Sequence, residues 1–161
     1  MSFIARQREL SLVIVIVVLS AFVWWQAPQF LSAANLSQVA ILAAIIAIAA
    51  VGQAMVVITR NVDLSVDATM GLVAFSVADV LRTHTLSLPA AMGYGIALGL
   101  ALGVVNGAIV SVFRVPAIVA TLGTMSVYRG FTFLLAGGRQ VSVSDLPPQY
   151  IALARASVAL G

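Results

Sequence analysis

Between Leu10 and Thr59 the chain carries no charged residue, and this uncharged run limits the available folds more than any other feature. A small globule leaves a large share of its surface in water. A chain of 161 residues that is 62% hydrophobic and 8% charged, with a mean hydropathy of +1.14, cannot satisfy that condition. It is expected to be an integral membrane protein. Helical spans need about 20 continuous apolar residues, whereas barrel strands alternate in polarity over about 10. The runs here are continuous, so the expected fold is all-α, a polytopic transmembrane helical bundle of about five complete spans plus the start of another. Residues 1–161 are read as a single membrane domain.

The first span is Leu10–Trp25, preceded by Arg6 and Arg8 and closed by Trp24, Trp25 and Pro28. A basic flank at one end and an aromatic belt at the other make residues 1–9 a cytoplasmic N-terminus. A cleaved signal peptide is the competing reading, because Leu31–Ala34 offers small residues. The apolar region exceeds the usual ~7–15 residues of such a peptide, which favours a retained anchor. The second span is Leu36–Thr59, with Asn35 and Ser37 as N-cap candidates. The third, Leu64–Leu81, can cross only if Asp67 and Asp79 sit near its two ends. Arg82, Thr83 and the solvated His84 follow as an outer turn. The fourth span is Pro89–Val112 and the fifth Ala117–Ala136. Residues 137–150 read as an external loop, and Ile151–Gly161 begins a further apolar run. Arg6, Arg8, Arg60 and Arg114 then flank the inside, against Arg82, Arg139 and Arg155 outside.

Several function classes are excluded. There is no Cys, and one His with five acids leaves little for a metal site, so neither a metal nor a cofactor is expected. All eight Lys or Arg positions are Arg; without Lys the chain has no Walker A lysine and is not itself a P-loop ATPase. Catalytic signatures such as G-x-S-x-G and H-E-x-x-H are absent. The pI near 10.2 comes from arginines scattered singly at the ends of apolar runs, so no nucleic acid is expected as partner.

What remains is a set of polar residues at membrane depth or its edges, concentrated in Thr59–Asp67, where three charges, an amide and two hydroxyls fall within nine residues. Ionisable groups in hydrocarbon are costly unless paired or hydrated, and they usually face a bundle interior or a water-filled path. That argues for transport. In the fourth span Gly95, Gly99, Gly103 and Gly107 recur every four residues, a stripe expected to pack closely against a neighbouring helix. Asn106, beside that stripe, either hydrogen-bonds across the contact or lines a pathway.

The segment Ile58-Thr59-Arg60-Asn61-Val62-Asp63-Leu64-Ser65-Val66 is followed by Val115-Pro116-Ala117-Ile118-Val119-Ala120-Thr121-Leu122-Gly123-Thr124-Met125 and by Tyr128-Arg129-Gly130. Together with Gly137-Gly138-Arg139 before Leu146-Pro147, these ordered blocks resemble the permease subunits of bacterial sugar ABC importers, the family of the ribose, xylose, arabinose, rhamnose and autoinducer-2 permeases. The resemblance covers nearly the whole chain after residue 35. It implies the N-terminal half of a permease in the bacterial inner membrane. It also implies three partners: a second permease subunit in a homo- or heterodimer, a cytoplasmic ATP-binding subunit and a periplasmic sugar-binding protein. One departure directly follows the first block, where the family usually carries Gly and then often Ser, and Asp67 and Ala68 stand here.

A neutral polyol needs amides, hydroxyls and carboxylates along its path and no fixed net charge. Asn61, Asp63, Ser65, Asn106, Tyr128 and Arg129 are the candidates for that path. Several of the polar residues have a plainer reading. Asp63 and Ser65 would equally serve as N-caps. Thr121 and Thr124 satisfy backbone carbonyls, Asp79 and Arg82 form a local ion pair, and Arg60 is a positive-inside anchor. Arg129, about three turns into a helix, must snorkel, pair with an acid or face water. The expected function is a permease subunit that moves a monosaccharide or related small polyol across the membrane by alternating access, with ATP hydrolysed by a partner. The alternatives are a proton-coupled secondary transporter relaying through Asp63, Asp67 and Asp79, and a truncated permease fragment without transport activity.

Overall fold

The computed structural model describes residues 2–83, 85–146, 148 and 151–152, with the side chains of residues 2–9 and 143 left aside. The readings placed on His84, Arg155 and most of the run after Ile151, and those on the side chains of Arg6 and Arg8, lie outside this set. Every regular element among the described residues is helical. In chain order these are α1 (Ser2–Gln26), α2 (Ala33–Ile58), α3 (Val66–Arg82), α4 (Leu88–Ser111) and α5 (Ala117–Ala136), with short 3-10 turns at Pro28–Leu31 and Val143–Asp145. The fold is a helical membrane bundle. Three helices, α2, α4 and α5, are long and apolar enough to cross a membrane. The apolar part of α1, Leu10–Gln26, is shorter, and α3 has 17 residues with Asp67, Asp79 and Arg82 among them. Large apolar side chains lie open along the helices, Leu100 at 65%, Val104 at 69% and Phe133 at 75% exposure, as lipid-facing surface requires.

The chain divides into two compact units, Met1–Ala47 and Ile48–Gly161. In the first, α1 leads through the Pro28–Leu31 turn into the start of α2. That start is three residues earlier than the sequence suggested. Ser32, not Asn35 or Ser37, is the cap: its hydroxyl accepts the Asn35 N–H at 3.3 Å, while Asn35 sits in the first turn and donates its amide to the Phe30 carbonyl at 2.6 Å.

In the second unit, α3, α4 and α5 pack together and the last turns of α2 lead into the junction before α3. Buried Ala68, Leu72 and Tyr128 form the core, with Leu102 and Met125 packed against it. Local chemistry sets the ends. Pro89 lies in the first turn of α4, where a missing N–H costs nothing. Pro116 holds the chain extended before α5, whose first bond is Ala120 N–H to the Pro116 carbonyl at 3.0 Å. Gly137, at φ 54°, ends α5 in the left-handed conformation glycine favours. The third helix begins two residues later than expected, because Leu64 and Ser65 belong to the turn that precedes it.

Packing between α3 and α4 passes through part of the glycine stripe. A Cβ at Gly95 would lie 2.8 Å from Val77 Cγ2, and one at Gly99 would lie 3.9 Å from Val73 Cγ2. At Gly103 and Gly107 it would meet nothing within 4 Å. Close packing on α3 therefore occupies the first half of the stripe, and the second half faces open space in this chain.

Candidate functional site

The polar stretch Thr59–Asp67 is the hub of the second unit. It begins as α2 unwinds. Arg60 N–H donates to the Val57 carbonyl at 2.9 Å and Asn61 N–H to Val56 at 3.3 Å, the paired bonds of a Schellman ending, with Arg60 left-handed at φ 60°. Arg114, at φ 56°, is left-handed in the segment after α4. Asn61, half-buried, turns its amide back onto Thr59, to the carbonyl and to the hydroxyl, both at 3.1 Å.

Asp63 then closes a tight turn. Its Oδ1 accepts the Ser65 N–H at 2.8 Å and the Ser65 hydroxyl at 2.7 Å, while its carbonyl accepts the Gln53 amide of α2 at 2.9 Å. Ser65 occupies the N-cap position of α3, but its side chain makes no capping bond. Fully buried, its Oγ instead accepts Asn106 Nδ2 at 2.6 Å. Asn106 Oδ1 in turn accepts from the Tyr128 hydroxyl at 3.4 Å, and that hydroxyl also donates to the Leu102 carbonyl at 3.0 Å. On the other side Thr121 Oγ1 accepts the Leu64 N–H at 3.2 Å and donates to the Ala117 carbonyl at 2.8 Å; Thr124 donates to Thr121. Among the described residues no buried side-chain polar atom is left without a partner.

Four of the six candidates, Asp63, Ser65, Asn106 and Tyr128, thus form one connected network that ties the junction to α4 and α5. Asn106 makes the bond across the helix contact, joining the Ser65 hydroxyl to Tyr128. The network also fixes the depth of the junction. Thr121 is the fifth residue of α5 and Asn106 the sixth from the end of α4. At 1.5 Å per residue the junction lies about 6–8 Å in from both helix ends.

Arg129 stands apart from this network. Its Nη2 reaches Asp67 Oδ2 at 2.8 Å, joining the middle of α5 to the first turn of α3. Both side chains are open, 60% for Arg129 and 81% for Asp67. They edge a shallow cleft of about 340 Å³ that also touches Gly71, Thr132 and Phe133. Arg129 was expected to snorkel, pair with an acid or face water, and Asp67 stood as a departure from the family pattern. Arg129 pairs with an acid, Asp67, and the pairing could not be read from residues 62 positions apart. At the far end of α3, Arg82 holds Asp79 Oδ1 through Nη2 at 2.7 Å and Nε at 3.2 Å, the local ion pair expected there.

Residues 35–158 match the family model described as "Branched-chain amino acid transport system / permease component". The chain is 38% identical over its full length to the Autoinducer 2 import system permease protein LsrC of Enterobacter sp. (strain 638). It is 39% identical over 141 residues, 88% of the chain, to the protein of the same name in Salmonella paratyphi B, and 37% identical over 141 residues to that of Shigella flexneri. It spans 46% of the length of the first of these, 40% of the second and 41% of the third. No solved structure matches. The chain belongs to this family of transport-system permease components, and its resemblance to the N-terminal portion of the permease subunits of sugar ABC importers holds.

Proposed function

We infer that the chain is part of the permease subunit of an ATP-binding-cassette importer of the bacterial inner membrane, passing a monosaccharide or related small polyol, autoinducer 2 among them, by alternating access. The observation that carries this reading is the Asp67–Arg129 pair, set on the open face of two helices of which α5 is otherwise free of charge. Arg129 is the thirteenth residue of α5, about 18 Å from its start and 10 Å from its end at 1.5 Å per residue. An open ion pair at such depth is costly in hydrocarbon, so the face is expected to meet water or protein in the assembled transporter. A compensated pair leaves that face without net charge, which suits a neutral substrate.

In this reading Asp63, Ser65, Asn106 and Tyr128 frame the pathway, and Asn61 and Arg129 stand at its edge. The ATP-binding subunit, a second permease subunit and a periplasmic sugar-binding protein complete the importer, with the N-terminus cytoplasmic. The test is uptake of labelled autoinducer 2 or pentose by cells carrying an intact importer built on this segment. Uptake is expected to stop on ATP depletion and in an Asp63→Ala permease of equal membrane abundance. Uptake that survives ATP depletion and collapses with the proton gradient would instead support a proton-coupled carrier.

A further inference from the structure

The end of the second unit at which α3 and α5 both finish carries a second polar constellation, unconnected to the network around Ser65. Phe75, Asp79 and Arg82 lie at i, i+4 and i+7 along one face of α3. With Arg139, Gln140 and Asp145, from the segment after α5, they surround a half-open cavity of about 470 Å³. That is within the range of about 300–1,000 Å³ usual for small-molecule sites. The segment is shaped from within. Ser142 N–H donates to Asp145 Oδ2 at 2.9 Å, Asp145 N–H returns to the Ser142 carbonyl at 3.0 Å, and Arg139 Nε reaches back to the Ala136 carbonyl at 3.4 Å.

Those bonds leave much of the hydrogen-bonding capacity of the cavity wall unused. Arg82 donates both of its bonds to one Asp79 oxygen, Oδ1, and Oδ2 makes no bond among the described residues. Asp145 Oδ1, the terminal nitrogens of Arg139 and the Gln140 amide make no bond among the described residues. Planar carboxylate, guanidinium and amide groups beside an aromatic ring are what a small polyol uses: paired donors and acceptors for adjacent hydroxyls, and a ring face for its C–H side. The two acids and two arginines sum to no net charge, which favours a neutral ligand over an anion or a cation.

We propose that this cavity is a binding site for a small neutral polyol, a receiving subsite at the mouth of the bundle and separate from the Asp67–Arg129 cleft. It rests on the transport reading for its place in a pathway, but the binding itself is measurable without transport. The chain has no native cysteine, so Val141→Cys places one thiol in the cavity wall. Alkylation of that thiol by a maleimide is followed in membranes containing the chain, with D-ribose, L-arabinose or D-xylose as probes. At least one pentose at about 10 mM, a concentration suited to a weak site, is expected to slow the reaction at least about threefold and saturably. Ribose 5-phosphate and choline should not. Adding Gln140→Ala, an exposed position that leaves the helices untouched, should abolish the protection, and Asp79→Asn should weaken it. No protection by any of the three pentoses, equal protection by the charged solutes, or protection unchanged by Gln140→Ala would each overturn the proposal. Protection without ATP-driven uptake would count against the transport reading and leave the site standing; uptake without protection would do the reverse.

Discussion

Asn106 is the side chain on which the second unit turns, because one amide bonds outward in two directions. Its Nδ2 serves Ser65 and its Oδ1 receives Tyr128, so removing it leaves a fully buried hydroxyl short of its donor. Interhelical hydrogen bonds in membranes are typically worth about 0.6–2 kcal/mol. Asn106→Ala is therefore expected to destabilise by about 1–2 kcal/mol, read as a lower thermal unfolding midpoint of the detergent-solubilised chain. Asn61→Ala, whose bonds stay within its own turn, should cost under about 0.5 kcal/mol; equal losses for the two would remove the hub role from Asn106. Arg60 offers the opposite sign. A non-glycine residue in the left-handed region costs about 1–2 kcal/mol, so Arg60→Gly should leave stability unchanged or raised, while Arg60→Val lowers it. The polar character of Asp63, Ser65 and Asn106 was plain in the sequence. Their union was not, since Asn106 and Ser65 lie 41 positions apart and helical periodicity gives no inter-helix register.

At the scale of elements, the helices were legible wherever backbone chemistry forced an end. Pro116 and Gly137 bound α5 at the expected residues, and Pro89 starts α4 within one position. The start of α2 was misplaced because Ser32, Asn35 and Ser37 are all competent caps within six residues, and only the turn Pro28–Leu31 selects Ser32. The glycine stripe was legible as a pattern but not in extent. Period-four spacing marks a helix face, whereas which turns of that face are covered depends on how far α3 reaches along α4. At Gly95 an added methyl falls 2.8 Å from Val77 Cγ2, a β-branched side chain with little freedom to move. Gly95→Ala is expected to cost about 1–3 kcal/mol through overpacking. At Gly103 and Gly107 the same change meets no atom, and the helix propensity of Ala should stabilise by up to about 1 kcal/mol. Thermal unfolding of the three single variants checks this: a uniform shift would mean that propensity alone decides, and that α3 does not bear on Gly95.

For the whole molecule the decisive question is what covers the open face of α3 and α5. Apolar residues exposed along α4, such as Leu100 at 65%, suit lipid, but Asp67 and Arg129 do not. A lone arginine at the centre of a membrane helix costs about 2.5–3.5 kcal/mol on insertion scales. Pairing offsets part of that cost, and exposure of both partners to water removes more. The two faces should therefore differ in chemical accessibility, and Gly71 reports on the polar one. It lines the cleft beside the pair and has open space for a side chain. A Gly71→Cys chain in membranes is expected to react with a membrane-impermeant thiol reagent at least about tenfold faster than a Leu100→Cys chain, because thiolate chemistry needs water. Reaction at Gly71 no faster than at Leu100 would mean lipid or protein over this face, and would remove the basis for a water-filled path there. The charges themselves are tested by exchange. Asp67→Asn leaves Arg129 uncompensated and should lower the membrane-inserted yield, while the double variant Asp67→Arg with Arg129→Asp should recover most of it if mutual compensation is their role. A double variant as poor as the single one would assign the loss to Asp67 itself, at the first turn of α3, where a carboxylate also meets the positive end of the helix dipole.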